Sequence, residues 1–166
     1  MPHVIVITGP CGAGKTTVSA IVAKKLRVQH LRADDVTHEL FPGLENIEQH
    51  PRELQELKDE VLRRAKTIFD AGNSVVVDFV VLGDFIRDFQ RMFGDDLMMK
   101  VLLPRIEVTI ARDTSRECWT VGEKHVKELH DMFIRDTELI GADNFIDNSD
   151  ETADETARKI AVSMKK

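Results

Sequence analysis

At 166 residues, the chain is long enough to bury one full hydrophobic core and too short for two comfortable ones. Apolar residues make up 42% and charged ones 31%, the balance of a folded domain rather than a disordered tail, and no apolar run approaches the roughly 20 residues that cross a bilayer. The net charge of −6 has the wrong sign for gripping long stretches of duplex nucleic acid.

The N-terminus, MPHVIVITG, carries no basic leader or cleavage site, and Cys11 and Cys118 cannot make a disulfide framework. A reducing, cytoplasmic compartment is therefore expected.

Val4 to Ile7 is a continuous apolar run ending at Thr8-Gly9, which predicts a strand buried on both faces. A helical pattern follows, with Val18, Ile21, Val22 and Leu26 on one side and Lys24, Lys25 and Arg27 opposite. Val28 to Leu31 predicts a second, weaker strand. From Asp35 to Pro51 the pattern is mixed, with a turn at Phe41-Pro42-Gly43. Pro51 suits a first helical position, Leu54, Leu57, Val61, Ala65 and Ile68 continue at helical spacing, and Gly72 stands where a C-terminal cap belongs.

Ser74 to Val81 (SVVVDFVV) is the strongest strand signal. A short amphipathic helix is expected over 83–93 and a strand over 97–103, stopped by Pro104. Ile106, Ile110, Arg112 and Arg116 mark another helix, and Cys118, Trp119 and Thr120 a loop. Thr120 and Glu123 have the spacing of a capping box for a helix bearing Val126, Leu129 and Phe133. Asn144 to Ile146 predicts a fifth strand, and Asp150 to Lys165 a closing helix with acids in its first turn and lysines in its last. Strands alternating with helices imply a parallel sheet between helical layers, with function just beyond the strands' carboxyl ends.

The decisive segment lies at the first of those ends. Gly9-Pro10-Cys11-Gly12-Ala13-Gly14-Lys15-Thr16 fits G-x-x-x-x-G-K-[ST] at every fixed position, between a strand and a helix. Glycines let the backbone curl so that its N–H groups point at phosphate oxygens, and the helix N-terminus adds partial positive charge. Lys15 reaches toward the β and γ phosphates, and the Thr16 hydroxyl suits Mg²⁺. Gly9, Cys11, Gly12, Ala13, Gly14, Lys15, Thr16 and Thr17 are the expected nucleotide-binding residues. The Cys11 thiol is read as a spectator, because the loop works through its backbone.

Asp34 and Asp35 follow the second strand. A carboxylate there can hydrogen-bond an attacking hydroxyl and take its proton, whereas the plainer role is to cap the next helix. Asp34, nearer the strand end, is the choice for the base. Asp78 is expected to serve Mg²⁺ from the tip of the third strand, or else to hold the acceptor. Arg112 and Arg116 share a helix face and lead into an expected lid at about 112–125, where a guanidinium would meet transferring phosphate. Ordinary surface pairing with Asp113 and Glu117 is the alternative. Trp119 suits either adenine stacking or plain cover for the loop, and the histidines show no zinc-ligand spacing.

GPCGAGKTT, LRADDV, VVVDFV and ARDTSRE together resemble small P-loop kinases that include chloramphenicol phosphotransferase and the kinase half of phage polynucleotide kinase. Gluconate and shikimate kinases are more distant relatives in that group. The resemblance implies a three-layer α/β P-loop NTPase fold, with a five-stranded parallel sheet flanked by helices and a small helical lid, over one domain spanning 1–166. It also implies Asp34 as general base, Asp78 as the third-strand acid and Arg116 as a contact to ATP phosphate. Three positions depart from the polynucleotide kinases: Thr37 replaces an Arg, and Phe79-Val80 replace Thr-Asn.

The expectation is therefore an ATP- and Mg²⁺-dependent phosphotransferase acting on a hydroxyl of a small-molecule acceptor, without nucleic acid or membrane as partner, and monomeric by default. A polynucleotide or nucleotide kinase is the alternative, and a non-catalytic nucleotide-binding module the alternative of another class. Six acids against Arg52 and Lys58 between Glu45 and Glu60 suit a neutral or cationic acceptor if they line its site, and otherwise form a solvated helix face.

Overall fold

The first apolar run folds as β1 (Val4–Thr8), with every residue buried. In the computed structural model, which describes residues 1–114 and 122–165, it is the central strand of five. The others are β2 (Gln29–Arg32), β3 (Val75–Asp78), β4 (Leu97–Leu102) and β5 (Phe145–Ile146). All pair in parallel, in the order β2-β3-β1-β4-β5.

Parallel neighbours need helical crossovers, which cover both faces. On one face Ile5, Ile7 and Val76 meet α1 (Lys15–Leu26), through Val18 and Val22, and α8 (Ala153–Ser163), through Ala157 and Ile160. On the other Val4, Val6, Val75 and Val77 meet α2 (Ala33–Leu40), α3 (Pro51–Asp70) and α4 (Asp84–Phe93). Residues alternate between these faces along each strand. Leu31 packs into the second core, so its neighbours His30 and Arg32 belong to the α1 face, beside their register partners Val76 and Asp78. That parity positions the site.

Between β4 and β5 lie α5 (Ile106–Thr114), α6 (Glu123–Arg135) and α7 (Thr137–Ile140). Several local expectations change. The second strand runs one residue later than its apolar signal, and the segment read as mixed begins with α2, whose Val36 is buried. The third strand stops at Asp78, because the Val81 N–H donates to Thr8 Oγ1 (2.9 Å) and not to a ladder. Gly122 occupies the N-cap of α6, with no side-chain cap; Thr120, expected to open a capping box there, lies outside the described residues. A reciprocal box closes instead on α8, between Thr152 and Glu155, and that helix ends before its expected lysines. Gly72 does end α3, at φ 84° with the Asn73 N–H bonded to Ile68 O.

Candidate active site

The phosphate loop occupies residues 9–16 between β1 and α1. Two of its glycines are forced by close approach. A Cβ on Gly9 (φ 148°) would stand 2.3 Å from Leu102 O, and one on Gly12 (φ 87°) would stand 2.5 Å from Thr109 O. No L side chain fits either place. Gly14 is the N-cap of α1, with no side-chain acceptor on the helix's first N–H groups, which leaves those donors for an anion. The loop is braced by Ala13 N–H to Pro10 O (3.1 Å) and by the Lys15 ammonium, which donates to Pro10 O (3.1 Å).

The structure joins Thr16 to Asp78. Thr16 Oγ1 donates to Asp78 Oδ2 at 2.7 Å, and Asp78 is 6% exposed. With its proton directed at the carboxylate, the hydroxyl keeps its lone pairs for a cation. His30 stands beside the same oxygen, with Nε2 3.9 Å from Asp78 Oδ2 and no hydrogen-bond partner although buried. Burial pushes the His30 pKa below its ordinary value, against the pull of Asp78 and with the help of Arg32.

Asp34 and Asp35 fall in the first turn of α2, both exposed. Neither caps the helix, since the N-cap is Arg32 and no side chain accepts there. Asp35 lies 3.5 Å from the Arg32 guanidinium, whereas Asp34 has no ion-pair partner among the described residues. The acids of α3 prove to be a solvated face: Glu56 pairs with Arg52, Asp59 accepts from Gln55, and Glu60 takes both Arg63 and Arg64. Arg63 and then Arg64 hold the Glu60 carboxyl at about 2.

Arg112 donates to Asn148 O (3.0 Å) and Ser149 O (3.5 Å), in the loop after β5. Asn148, 3% exposed, in turn donates from Nδ2 to Ala13 O at 3.0 Å. The end of α5 is thus tied to the phosphate loop through one asparagine. Asp113, a surface charge only in the alternative reading of the Arg112 helix, is 1% exposed and accepts the Gly122 N–H. Arg116, Cys118 and Trp119, with residues 115–121 of the lid expected at about 112–125, lie outside the described residues. Asn148, Thr8 and His30 were not singled out by sequence. Only the face parity of β2 could have flagged His30, and a polar residue ending β1 could have flagged Thr8.

A family model described as an AAA domain matches residues 5–112, which hold the phosphate loop, Asp34, Asp78 and Arg112. The chain belongs to the AAA domain family. It is accordingly a P-loop nucleotide-binding domain. This AAA domain is 32% identical over 113 residues to a probable adenylyl-sulfate kinase of Pyrococcus abyssi, a match covering 64% of the chain and 63% of that protein. It is 32% identical over 88 residues to a cytidylate kinase of Archaeoglobus fulgidus, covering 51% and 49%. The chain thus spans between half and two thirds of the curated relatives it matches. In fold it is similar to shikimate kinase from Acinetobacter baumannii, with a TM-score of 0.71 at 18% identity over 99% of this chain and 94% of that one. The AAA domain here has the P-loop kinase fold, as the motif resemblance implied. Among its described residues no helix is long and apolar enough to cross a membrane.

Proposed function

We propose that this AAA domain is an ATP- and Mg²⁺-dependent kinase that moves the γ-phosphoryl group to a hydroxyl of a small-molecule acceptor. The observation that carries the reading is Asp34: an exposed carboxylate in the first turn of α2, without a partner among the described residues and two residues past the strand position in register with Asp78. A nucleotide switch has no use for such a base. In transfer, the acceptor oxygen bonds to the γ-phosphorus, the bond from that phosphorus to the β–γ bridging oxygen breaks, and the hydroxyl proton passes to Asp34.

The nucleotide would lie on Gly9, Cys11, Gly12, Ala13, Gly14, Lys15, Thr16 and Thr17, with Lys15 on the β and γ phosphates. Arg112 and Arg116 would serve the phosphates from the lid side, and closure there would keep water from taking the phosphoryl group. Thr16 and Asp78 fit Mg²⁺. They are hard oxygen donors, already hydrogen-bonded to each other, and this ion needs one or two protein oxygens beside phosphates and water rather than a three-residue cage. When bound, it neutralises charge on the phosphoryl oxygens.

A nucleotide acceptor has specific support, since the two curated relatives are named for kinases of nucleotides, adenylyl sulfate and cytidylate. A polynucleotide acceptor has less: Thr37, at the position where those kinases carry Arg, is buried with its hydroxyl on Ala33 O. A cytoplasmic monomer completes the reading.

The test is acceptor-dependent ADP release across a panel of nucleoside monophosphates, adenylyl sulfate, sugars and sugar acids. Turnover with at least one acceptor, falling by about 10²-fold or more in Asp34→Asn, is expected. ATP binding without acceptor-dependent turnover would favour the regulatory module instead.

A further inference from the structure

His30 has no part in the kinase reading above, yet it is the one imidazole set against the carboxylate that binds the phosphate-loop threonine. Its Nε2 is buried, lacks a hydrogen-bond partner and stands 3.9 Å from Asp78 Oδ2. That separation is too long for a direct hydrogen bond but close enough for strong electrostatic coupling. The placement follows from the sheet. Register sets His30 against Val76 and Arg32 against Asp78, and alternation puts His30 on the α1 face with Asp78 and Thr16.

A neutral imidazole bears its proton on one nitrogen, and the hydrogen-bonding surroundings choose which. A bare Nε2 lone pair facing a carboxylate oxygen would be repelled. An Nε2–H is attracted, so the proton belongs on Nε2. We infer that His30 is a positioning residue, whose Nε2–H draws Asp78 Oδ2 into place and thereby fixes the Thr16–Asp78 pair in the orientation that receives Mg²⁺ with the nucleotide. Thr16 Oγ1, from the phosphate loop, then hydrogen-bonds the carboxylate oxygen that His30 Nε2, from β2, attracts across 3.9 Å. Among the described residues Asp78 Oδ1 accepts no hydrogen bond, so both restraints act through Oδ2. The inference rests on the assignment of Asp78 and Thr16 to the metal, and it adds the group that aims them.

The experiment is calorimetry of ATP binding with Mg²⁺ and with a chelator, on the wild type, His30→Leu, His30→Gln and Asp78→Asn. Glutamine places an amide N–H near the Nε2 position, whereas leucine keeps bulk without a donor. The expected result is that His30→Leu loses about tenfold or more of the affinity that Mg²⁺ adds. It should keep metal-free ATP binding, and His30→Gln should retain the gain. An undiminished gain in His30→Leu, or an equal loss in both variants, overturns the inference.

Asp78→Asn separates the two levels. If Mg²⁺ helps that variant as much as wild type, the metal assignment falls and the inference with it. Loss in Asp78→Asn but not in His30→Leu defeats the role of His30 alone. Should the leucine variant fail to fold, the nitrogen spectrum of unmodified protein decides. A proton on His30 Nε2 upholds the inference, and a proton on Nδ1 overturns it.

Discussion

Thr16 and Asp78, 62 residues apart in the chain, share a 2.7 Å hydrogen bond at the carboxyl end of the central strands. Thr16 opens the second position of α1, and Asp78 is the last residue of β3, so the bond locks the first helix to the strand beside β1. The same two oxygens are the expected Mg²⁺ donors, which makes one contact answerable to both stability and binding. Thr16→Val removes the donor at nearly constant volume and leaves the buried Asp78 oxygen with one fewer partner. We expect a fall in thermal stability corresponding to about 1–3 kcal/mol, together with loss of the Mg²⁺ contribution to ATP affinity. Thermal melts and titrations with and without Mg²⁺ would separate the two effects.

Gly12→Ala tests the loop by steric means. The new Cβ would stand 2.5 Å from Thr109 O at a backbone φ of 87°, so the loop or α5 must shift. Strain of roughly 1–3 kcal/mol is expected, read as a lowered melting temperature, with ATP affinity reduced as the N–H groups lose their alignment. Unchanged affinity would mean the loop tolerates displacement and its curl is not set by this approach.

Much of this architecture was legible from pattern. VIVIT, VVVD and LMMKVL carry short, nearly continuous apolar runs bounded by turn signals, as buried parallel strands do, and the phosphate loop is marked by glycines at fixed spacing, two of which have no room for a Cβ against backbone. Two things were not legible. The helix carrying Asp34 and Asp35 is eight residues long, too short for its period to stand out against the turn that follows. The contacts of His30 and Asn148 depend on which face or which loop the chain returns to, over separations such as the 135 residues between Asn148 and Ala13. Local sequence does not encode that return. The acidic run up to Glu60 left two readings open in the sequence, and the pairs Arg52–Glu56, Arg63–Glu60 and Arg64–Glu60 decide for the solvated helix face.

That cluster gives a pH prediction. Glu60 accepts from Arg63 Nε at 2.8 Å and from Arg64 Nε at 2.8 Å, and its carboxyl is held at about 2. A folded-state value below the unfolded one stabilises the fold above the ordinary carboxylate range, and the contribution fades as pH falls through about 2. The Glu60→Gln variant should therefore melt below wild type at pH 7, and the difference should shrink in acid. A Glu60 titration midpoint at its ordinary value would contradict this.

The capping box on α8 offers a control remote from the nucleotide. Thr152 Oγ1 accepts the Glu155 N–H at 3.1 Å while the Glu155 carboxylate accepts the Thr152 N–H at 3.0 Å. Thr152→Ala should cost about 1 kcal/mol, a drop of roughly 2–4 °C for a chain of this size. ATP affinity at saturating Mg²⁺ should be unaffected.

The central claim is that the turn between β1 and α1 holds a nucleoside triphosphate, and isothermal titration of folded protein with ATP and Mg²⁺ tests it most directly. The account predicts saturable uptake at one site, abolished by Lys15→Ala in a variant that still melts cooperatively. No heat of binding in well-folded wild type, or undiminished uptake in Lys15→Ala, would contradict it.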